Sequence, residues 1–451
     1  VDVLFSLDPM SPKRAGVEAA LRRGVARGDL PVGSRIPSAR ELAIELGVAR
    51  GTVTAAIEDL VADGILVARE RRGVFVARSP AGEAAPPHVT VAHAPRWDLR
   101  PGRPETGSFP LARWSAALRR AAASEPTASR GDDDGAGSMA LRVQLAAYLA
   151  RARGVQATPE SIVVCAGYRS ATTVLAVALH DRGATQVAIE DPGLFGIDTA
   201  WRATGMRVRD LPVDSEGAVV DLLDGRTDVA VLTPAHQFPL GMVLSADRRH
   251  TALDWAARTG GLIVEDDYDG EFRFDRRPVA ALQGSAPDRV VYVGSTSKAL
   301  DTRMRLGWMV VPSEWTATVA AVTLALTGGV PLLDQLALAE LIRVGDYERH
   351  IRRQRREYAR RRAFLDERVA HAGSVTSGVP AGLQALVPLP AHAGVSSDGV
   401  VSAGAATVHA LSRYTRTSAY PPTAVVGFAT PPRARFEPAV EAFARWLRAS
   451  G

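Results

Sequence analysis

This sequence predicts an α/β fold preceded by a small winged helical domain, and three observations carry that reading. From Trp97 onward, short apolar runs alternate with helical periodicity: Ile162–Val164, Val187–Ile189, Val229–Leu232, Leu262–Val264, Val290–Val293 and Trp308–Val311. Runs that are apolar on both faces read as buried strands of a mostly parallel central sheet. Before residue 79 the chain instead holds short amphipathic helices and an apolar hairpin. Between the two, Pro80, Gly82, Pro86, Pro87 and Pro95 sit among Ala, Glu and His, which sustain no regular element. The expected organisation is a first domain at 1–78, a linker at 79–96 and a large domain at 97–451.

Composition agrees with this division. A chain of 451 residues exceeds one ordinary core, and its 46% hydrophobic and 23% charged content suits globular domains. The formal charge of +5 permits nucleic-acid binding without arguing for it. A single cysteine, Cys165, excludes an intrachain disulfide and points to a reducing setting; it reads as a small buried hydrophobe. No apolar run reaches membrane-spanning length and no secretory pattern opens the chain, so the expected location is the cytoplasm.

In the first domain, Ser38 stands where it caps a helix and Glu41 completes the capping-box spacing. Leu42 and Leu46 share a face, Gly47 supplies the turn, and Val53, Ile57, Leu60 and Val61 follow at core spacing. This is a helix-turn-helix layout, whose second helix enters the DNA major groove N-terminus first. Arg50, Gly51, Thr52 and Thr54 are then placed to meet bases or phosphates, with Arg35, Ser38 and Arg40 at the entry. Ile65–Ala68 and Gly73–Ala77 bracket Arg69, Arg71 and Arg72, which makes a β-wing with a basic tip. The segment from Val17 to Arg78 resembles the winged helix-turn-helix of GntR regulators. Ala49 departs from the serine often found before the recognition-helix arginine.

In the large domain, the strand at Val290–Val293 leads into Gly294-Ser295-Thr296-Ser297-Lys298, with Arg305 seven residues on and Glu265-Asp266-Asp267-Tyr268-Asp269 upstream. Loops after parallel strands are where cofactor sites are built. Pyridoxal phosphate (PLP) chemistry requires an amine, an anion at the pyridine nitrogen, a donor near O3′ and a phosphate cradle. Lys298, Asp266, Tyr268 and Arg305 supply these in turn, while Glu265 and Asp269 fit a solvated acidic turn. A helix from about Ala171 to Leu179 follows Gly167 and Tyr168, and its first amides suit a phosphate. Arg349–Arg362 reads as a long exposed helix joining the two parts of the large domain. His236 with nearby acids has no metal-ligand spacing, so no metal is expected.

With Thr233-Pro-Ala-His-Gln-Phe-Pro-Leu-Gly241 added, these segments resemble the MocR subfamily of GntR regulators, a winged helix-turn-helix fused to a fold-type I aminotransferase-like domain. The resemblance implies Lys298 as the Schiff-base lysine, Asp266 at the pyridine nitrogen, Tyr268 at O3′ and Arg305 on the phosphate. It also implies Ser295 and Ser297 as hydroxyl positions and Gln237 as a polar pocket residue. Three departures stand out. Leu194 occupies the position of a ring-stacking aromatic, with Phe195 adjacent. Arg130 replaces a tyrosine before Gly131-Asp132. Val425–Thr430 holds no arginine for a substrate carboxylate. The expected function is a PLP-dependent regulator that binds double-stranded promoter DNA and senses PLP or a PLP–amine adduct as a head-to-tail homodimer. A working aminotransferase with an accessory DNA-binding domain is the alternative.

Overall fold

The computed structural model of the chain describes residues 13–70, 72–77, 96–105, 107–124, 135–274 and 279–450. Residues 79–95 of the expected linker, Arg71 and Arg130 lie outside these residues. The chain divides into two units, Val1–Ala94 and Pro95–Gly451.

In the first unit α1 (Lys13–Arg27), α2 (Ala39–Leu46) and α3 (Arg50–Ala62) precede an antiparallel pair, β1 (Leu66–Arg69) and β2 (Gly73–Val76). Ser38 starts α2 through both halves of a capping box: its Oγ accepts from Glu41 N–H (3.3 Å), and Glu41 Oε2 accepts from Ser38 N–H (2.6 Å). Gly47 ends the helix in the left-handed region, which glycine enters without a Cβ clash. Leu42, Val53 and Leu60, all fully buried, join Val17 and Leu21 of α1 in one core. Each such side chain contributes roughly 2 kcal/mol by leaving water. Arg14–Asp59 and Arg22–Asp63 ion pairs tie α1 to α3 and the residue after it.

The second unit begins with β3 (Trp97–Asp98), α4 (Leu111–Ser124) and α5 (Met139–Arg153). Its central sheet is laid down as β4 (Ile162–Cys165), α6 (Tyr168–Asp181), β5 (Gln186–Asp191), α7 (Asp198–Ala203), β6 (Arg207–Asp214), β7 (Gly217–Ala218), β8 (Val229–Leu232), α8 (Ala246–Thr259), β9 (Leu262–Asp266), β10 (Val290–Ser295) and β11 (Gly307–Val310). The strand order is β4-β11-β10-β9-β8-β5-β6-β7. Tyr292 of β10 packs on one side with Trp308, whereas Val291 and Val293 pack on the other with Val163 and Met309. Burial on both faces is why the strand sequences are continuously apolar.

Two expectations need correction here. Trp308–Val310 lies in an antiparallel strand, β11, paired with both β10 and β4. The loop from β10 is too short for a parallel crossover, which takes a dozen or more residues. The arginine-rich helix is α11 (Asp346–His371), reached through α9 (Ser313–Thr327) and α10 (Leu332–Arg343), and it is not simply exposed. Arg361 is fully buried, ion-paired with Glu105 and hydrogen-bonded to Glu357 and the carbonyls of Phe428, Ala429 and Pro431. A guanidinium tolerates such a site only because this many acceptors surround it.

A second sheet follows, with β12 (Gln384–Pro388), β13 (Val400–Ala403), β14 (Ala406–Ala410) and β15 (Thr423–Gly427) in the order β12-β15-β14-β13, and α12 (Arg433–Ser450) closes the chain. β3 pairs in parallel with β14, so the start of this unit is stitched into its last sheet. Among the described residues no helix is long and apolar enough to cross a membrane.

Candidate cofactor pocket and nucleic-acid interface

Register brings the pocket residues to one end of the central sheet. Ser295 pairs with Gly307, Gly307 with Cys165, and Val293 with Asp266. The ends of β4, β10 and β9 are therefore neighbours. A Cβ on Gly307 would lie 2.9 Å from Gly167 Cα and from Gly294 O, so only glycine allows this approach. Thr296 fastens the lysine loop: its N–H and Oγ1 both donate to Leu306 O, at 3.0 and 2.9 Å.

Lys298, half-buried on that loop, donates from Nζ to Gly102 O at 2.5 Å. Burial pushes its pKa below the usual ammonium value, against the opposing pull of Asp269 and Asp266. Asp266 is buried at the end of β9, and burial raises its carboxyl well above the usual range. Tyr168 hydrogen-bonds to it and Lys298 attracts it, both acting the other way. A cationic partner would relieve this displacement and hold the carboxylate ionised.

Tyr268 accepts from Gln384 Nε2 (3.0 Å), and its hydroxyl lies 3.0 Å from His236 Nδ1. That nitrogen is also 2.8 Å from Asp269 Oδ2. Asp269 and Glu265 are both buried, which corrects the solvated reading given to them. The acidic run continues a central strand, and Glu265 spends its carboxylate on the N–H groups of Leu282 and Gln283.

Opposite the lysine loop, α6 begins at Tyr168, three residues before the expected start, so Gly167 sits at its N-cap. The first-turn amides of a helix lack intrahelical acceptors and favour an anion. Beside them Ser170 Oγ is buried with no partner among the described residues. Ser297 Oγ lies near Gly167, and Ser295 Oγ accepts from Ser297 N–H at 3.4 Å. Arg305 is exposed and makes no hydrogen bond or ion pair among the described residues. Its φ of 50° lies in the left-handed region, a costly conformation for a residue with a Cβ.

Gln237 is placed differently from the others. Its amide is spent on Glu190, the carbonyls of Pro192 and Phe238, and Leu240 N–H, so it braces the loop after β8. Phe195 is exposed beneath the Arg413 guanidinium, 4.9 Å from its ring centroid, while Leu194 packs inward. Cys165 is fully buried, and burial pushes its thiol up to about 12. Gly102, Gln384 and Ser170 are neighbours of the site that were not singled out, and His236 was weighed only as a metal ligand. His236 lies inside a motif quoted above and Ser170 directly precedes the expected helix start, whereas no local signal marks Gln384, more than eighty residues from the lysine. Together these groups can hold a phosphorylated carbonyl compound with a basic ring nitrogen. Among the described residues no cluster of three His, Cys, Asp or Glu could hold a metal.

In the first unit, Arg50, Gly51 and Thr54 are exposed at the start of α3, and Thr52 is half-buried. Ala49 gives α3 no side-chain cap, leaving its first amides available to phosphate. Arg35 bridges to Phe75 of the wing, and a Cβ on Gly73 (φ 104°) would come within 2.7 Å of Arg35 Nε. A groove of about 510 Å³ runs between α3 and the wing, lined by Arg35, Ser38, Arg50, Thr54 and Glu58 among others. Arg40 and Arg72 are exposed.

Comparison with known proteins divides along the same line. Residues 13–76 match the bacterial regulatory proteins of the gntR family, and residues 99–436 match aminotransferase class I and II. Over 380 residues the chain is 30% identical to the pyridoxine biosynthesis transcriptional regulator PdxR of Corynebacterium glutamicum, covering 81% of each protein. It is 34% identical to the probable rhizopine catabolism regulatory protein MocR of Rhizobium meliloti, covering 80% of this chain and 77% of that one. An archaeal alanine:glyoxylate aminotransferase superimposes with a TM-score of 0.69 at 21% identity, over 79% of this chain and 91% of that one. That last likeness is one of fold.

Proposed function

The chain belongs to the MocR-type branch of the GntR transcription regulators, and from that premise we propose that it binds promoter DNA through its winged unit and senses pyridoxal phosphate, or its adduct with an amine, through Lys298. The observation that carries this reading is the convergence of Lys298, Asp266, Tyr268 and the start of α6 on one end of the central sheet. The residues fit the group. Ser170 Oγ lacks a partner beside a helix N-terminus, and Asp266 is a buried acid whose ionisation a cation would restore. When bound, the cofactor supplies an aldehyde carbon that an amine can capture.

The roles of this chain's residues follow from their surroundings. Burial keeps more of the Lys298 amine unprotonated, and only that form is nucleophilic. Asp266 holds the proton on a ring nitrogen. Tyr268, fixed by Gln384 and His236, would offer its hydroxyl to the ring oxygen. The first amides of α6 with Ser170, Ser295, Ser297 and Arg305 take the phosphate. A head-to-tail homodimer presents two winged units to two half-sites. The ligand changes promoter occupancy by binding one arrangement of that dimer more tightly than the other. The names of the two relatives, a regulator of pyridoxine biosynthesis and one of rhizopine catabolism, support control of a biosynthetic or a catabolic process of that kind.

The test is a binding assay on DNA from upstream of the protein's own gene, with and without PLP, together with absorption spectra of the gel-filtered protein. A visible band present in the wild type and absent in Lys298→Ala, with DNA affinity that PLP alters in the wild type alone, is expected. No band, or identical PLP responses in the two proteins, overturns the sensing role.

A further inference from the structure

Helix α11 carries an exposed stripe of arginines besides the side that buries Arg361. Arg353, Arg356 and Arg360 follow one another at spacings of three and four, which sets them along one side of the helix. That side lines a cleft of about 720 Å³ together with residues 107–113, which lead into α4, and Arg433, the first residue of α12. A cleft of this size falls in the range of small-molecule sites. None of its lining residues is among those placed around Lys298.

The acids in the cleft are already spent. Glu105 accepts from Arg433 N–H (2.8 Å) and is ion-paired with the buried Arg361 (3.1 Å), which also holds Glu357 (2.9 Å). Arg360 shares Glu357 and reaches Glu437, and Arg113 pairs with Asp346. Among the described residues Arg353 bonds only to His350 Nδ1 (2.9 Å), and burial holds that histidine neutral, with its pKa lowered to about 4. The guanidiniums of Arg356 and Arg433 make no hydrogen bond or ion pair among the described residues. Three guanidiniums therefore line one cleft without a described carboxylate to balance them. Two helix starts add charge of the same sign. Neither α4 nor α12 has an acid in its first turn, and each has an arginine there instead, Arg113 and Arg433. A helix N-terminus favours acids, so this placement works against stability unless an anion occupies the space between.

We propose that this cleft binds a small phosphate-bearing compound of two or more negative charges. A tetrahedral phosphate turns its oxygens in different directions and can accept from Arg353 and Arg356 of α11 and Arg433 of α12 together, whereas a planar carboxylate is matched by a single guanidinium fork. The first amides of α4 favour the same anion. Half-buried Phe109 and exposed Leu111 offer hydrocarbon to the rest of the compound.

The probe is inorganic pyrophosphate, titrated by calorimetry into full-length protein that has been loaded with PLP and gel-filtered, at an ionic strength fixed with potassium chloride. The comparison is Arg353→Gln/Arg356→Gln, both at exposed positions outside the cofactor residues. The wild type is expected to show one saturable site per chain, weakened at least about tenfold in the double variant while its urea midpoint stays unchanged. No saturable binding, or equal affinity in the two proteins, overturns the proposal. Citrate binding as tightly as pyrophosphate overturns it too, since the cleft would then be a general anion patch. Promoter DNA is the other source of phosphate. If the wild type binds no pyrophosphate but the double variant lowers the slope of log DNA affinity against log salt by about two, the arginines serve the DNA backbone and the small-ligand proposal fails.

Discussion

Replacing Arg153 with methionine removes the cation from a buried ion pair next to the pocket. Arg153 ends α5, and its Nε and Nη2 donate to Asp267 at 2.6 and 3.2 Å, with both side chains almost wholly buried. Tyr292 supplies the remaining bond at 2.8 Å, and Asp267 is the immediate neighbour of Asp266. Once the guanidinium is gone, Asp267 either stays ionised without a partner, which costs about 3–5 kcal/mol, or takes up a proton. Protonation costs about 1.4 kcal/mol for each pH unit above an ordinary aspartate pKa near 3.9, hence about 5 kcal/mol at pH 7.5 and about 2 kcal/mol at pH 5.5. The loss is therefore bounded by the cheaper route and should shrink in acid. Urea unfolding followed by tryptophan fluorescence reports it cleanly, because all seven tryptophans lie at or beyond Trp97 and the winged unit is silent. We expect a loss of about 3–5 kcal/mol at pH 7.5 and about 2 kcal/mol at pH 5.5, with Arg153→Met/Asp267→Asn recovering most of it. A loss equal at both pH values, or a double variant as unstable as the single one, would refute the reasoning.

Two further outcomes follow from the same structure. Burial first, and then the charge of Asp267, raises the Glu271 carboxyl from 4.5 to about 7. The folded state therefore binds the extra proton, so this group's contribution to stability is fully present below about pH 4.5 and is lost as pH rises through 7. Glu271→Gln should remove about 3 kcal/mol of pH dependence across that window, measured by unfolding at pH 5 and pH 7.5; an unchanged slope would contradict the assignment. Arg50→Ala, at the exposed start of α3, should weaken DNA binding and lower the slope of log affinity against log salt by about one if Arg50 contacts a phosphate. A loss confined to one base position with an unchanged slope would instead place Arg50 on a base edge.

Much of the fold is written in local pattern. Ser38 and Glu41 mark the start of α2 because a capping box is closed within four residues, and the strands β4, β5, β8, β9 and β10 are legible because burial on both faces demands continuous apolar sequence. β6 alternates apolar and polar residues and escaped that search. The direction of β11 was misread because an apolar run carries no sign of its partner's direction; the shortness of the loop before it does. Arg361 looked exposed within a run of arginines, since its acceptors are carbonyls some seventy residues away.

For this protein the sequence by itself determined the two-unit architecture and the family, and put forward Lys298, Asp266, Tyr268 and Arg305, at or beside the ends of β9, β10 and β11, as a candidate site. Those features are local, set by side-chain chemistry and spacing along one stretch of chain. Only the tertiary structure decided what each of them touches. It set Gly102 O against Lys298, closed Tyr268 between His236 and Gln384, turned Gln237 to bracing a loop, and packed Tyr268 against a core cluster that holds Val425 and Leu386. The physical reason is that pKa, donor commitment and wall polarity depend on which distant groups share a buried volume, and strand order and register choose those groups.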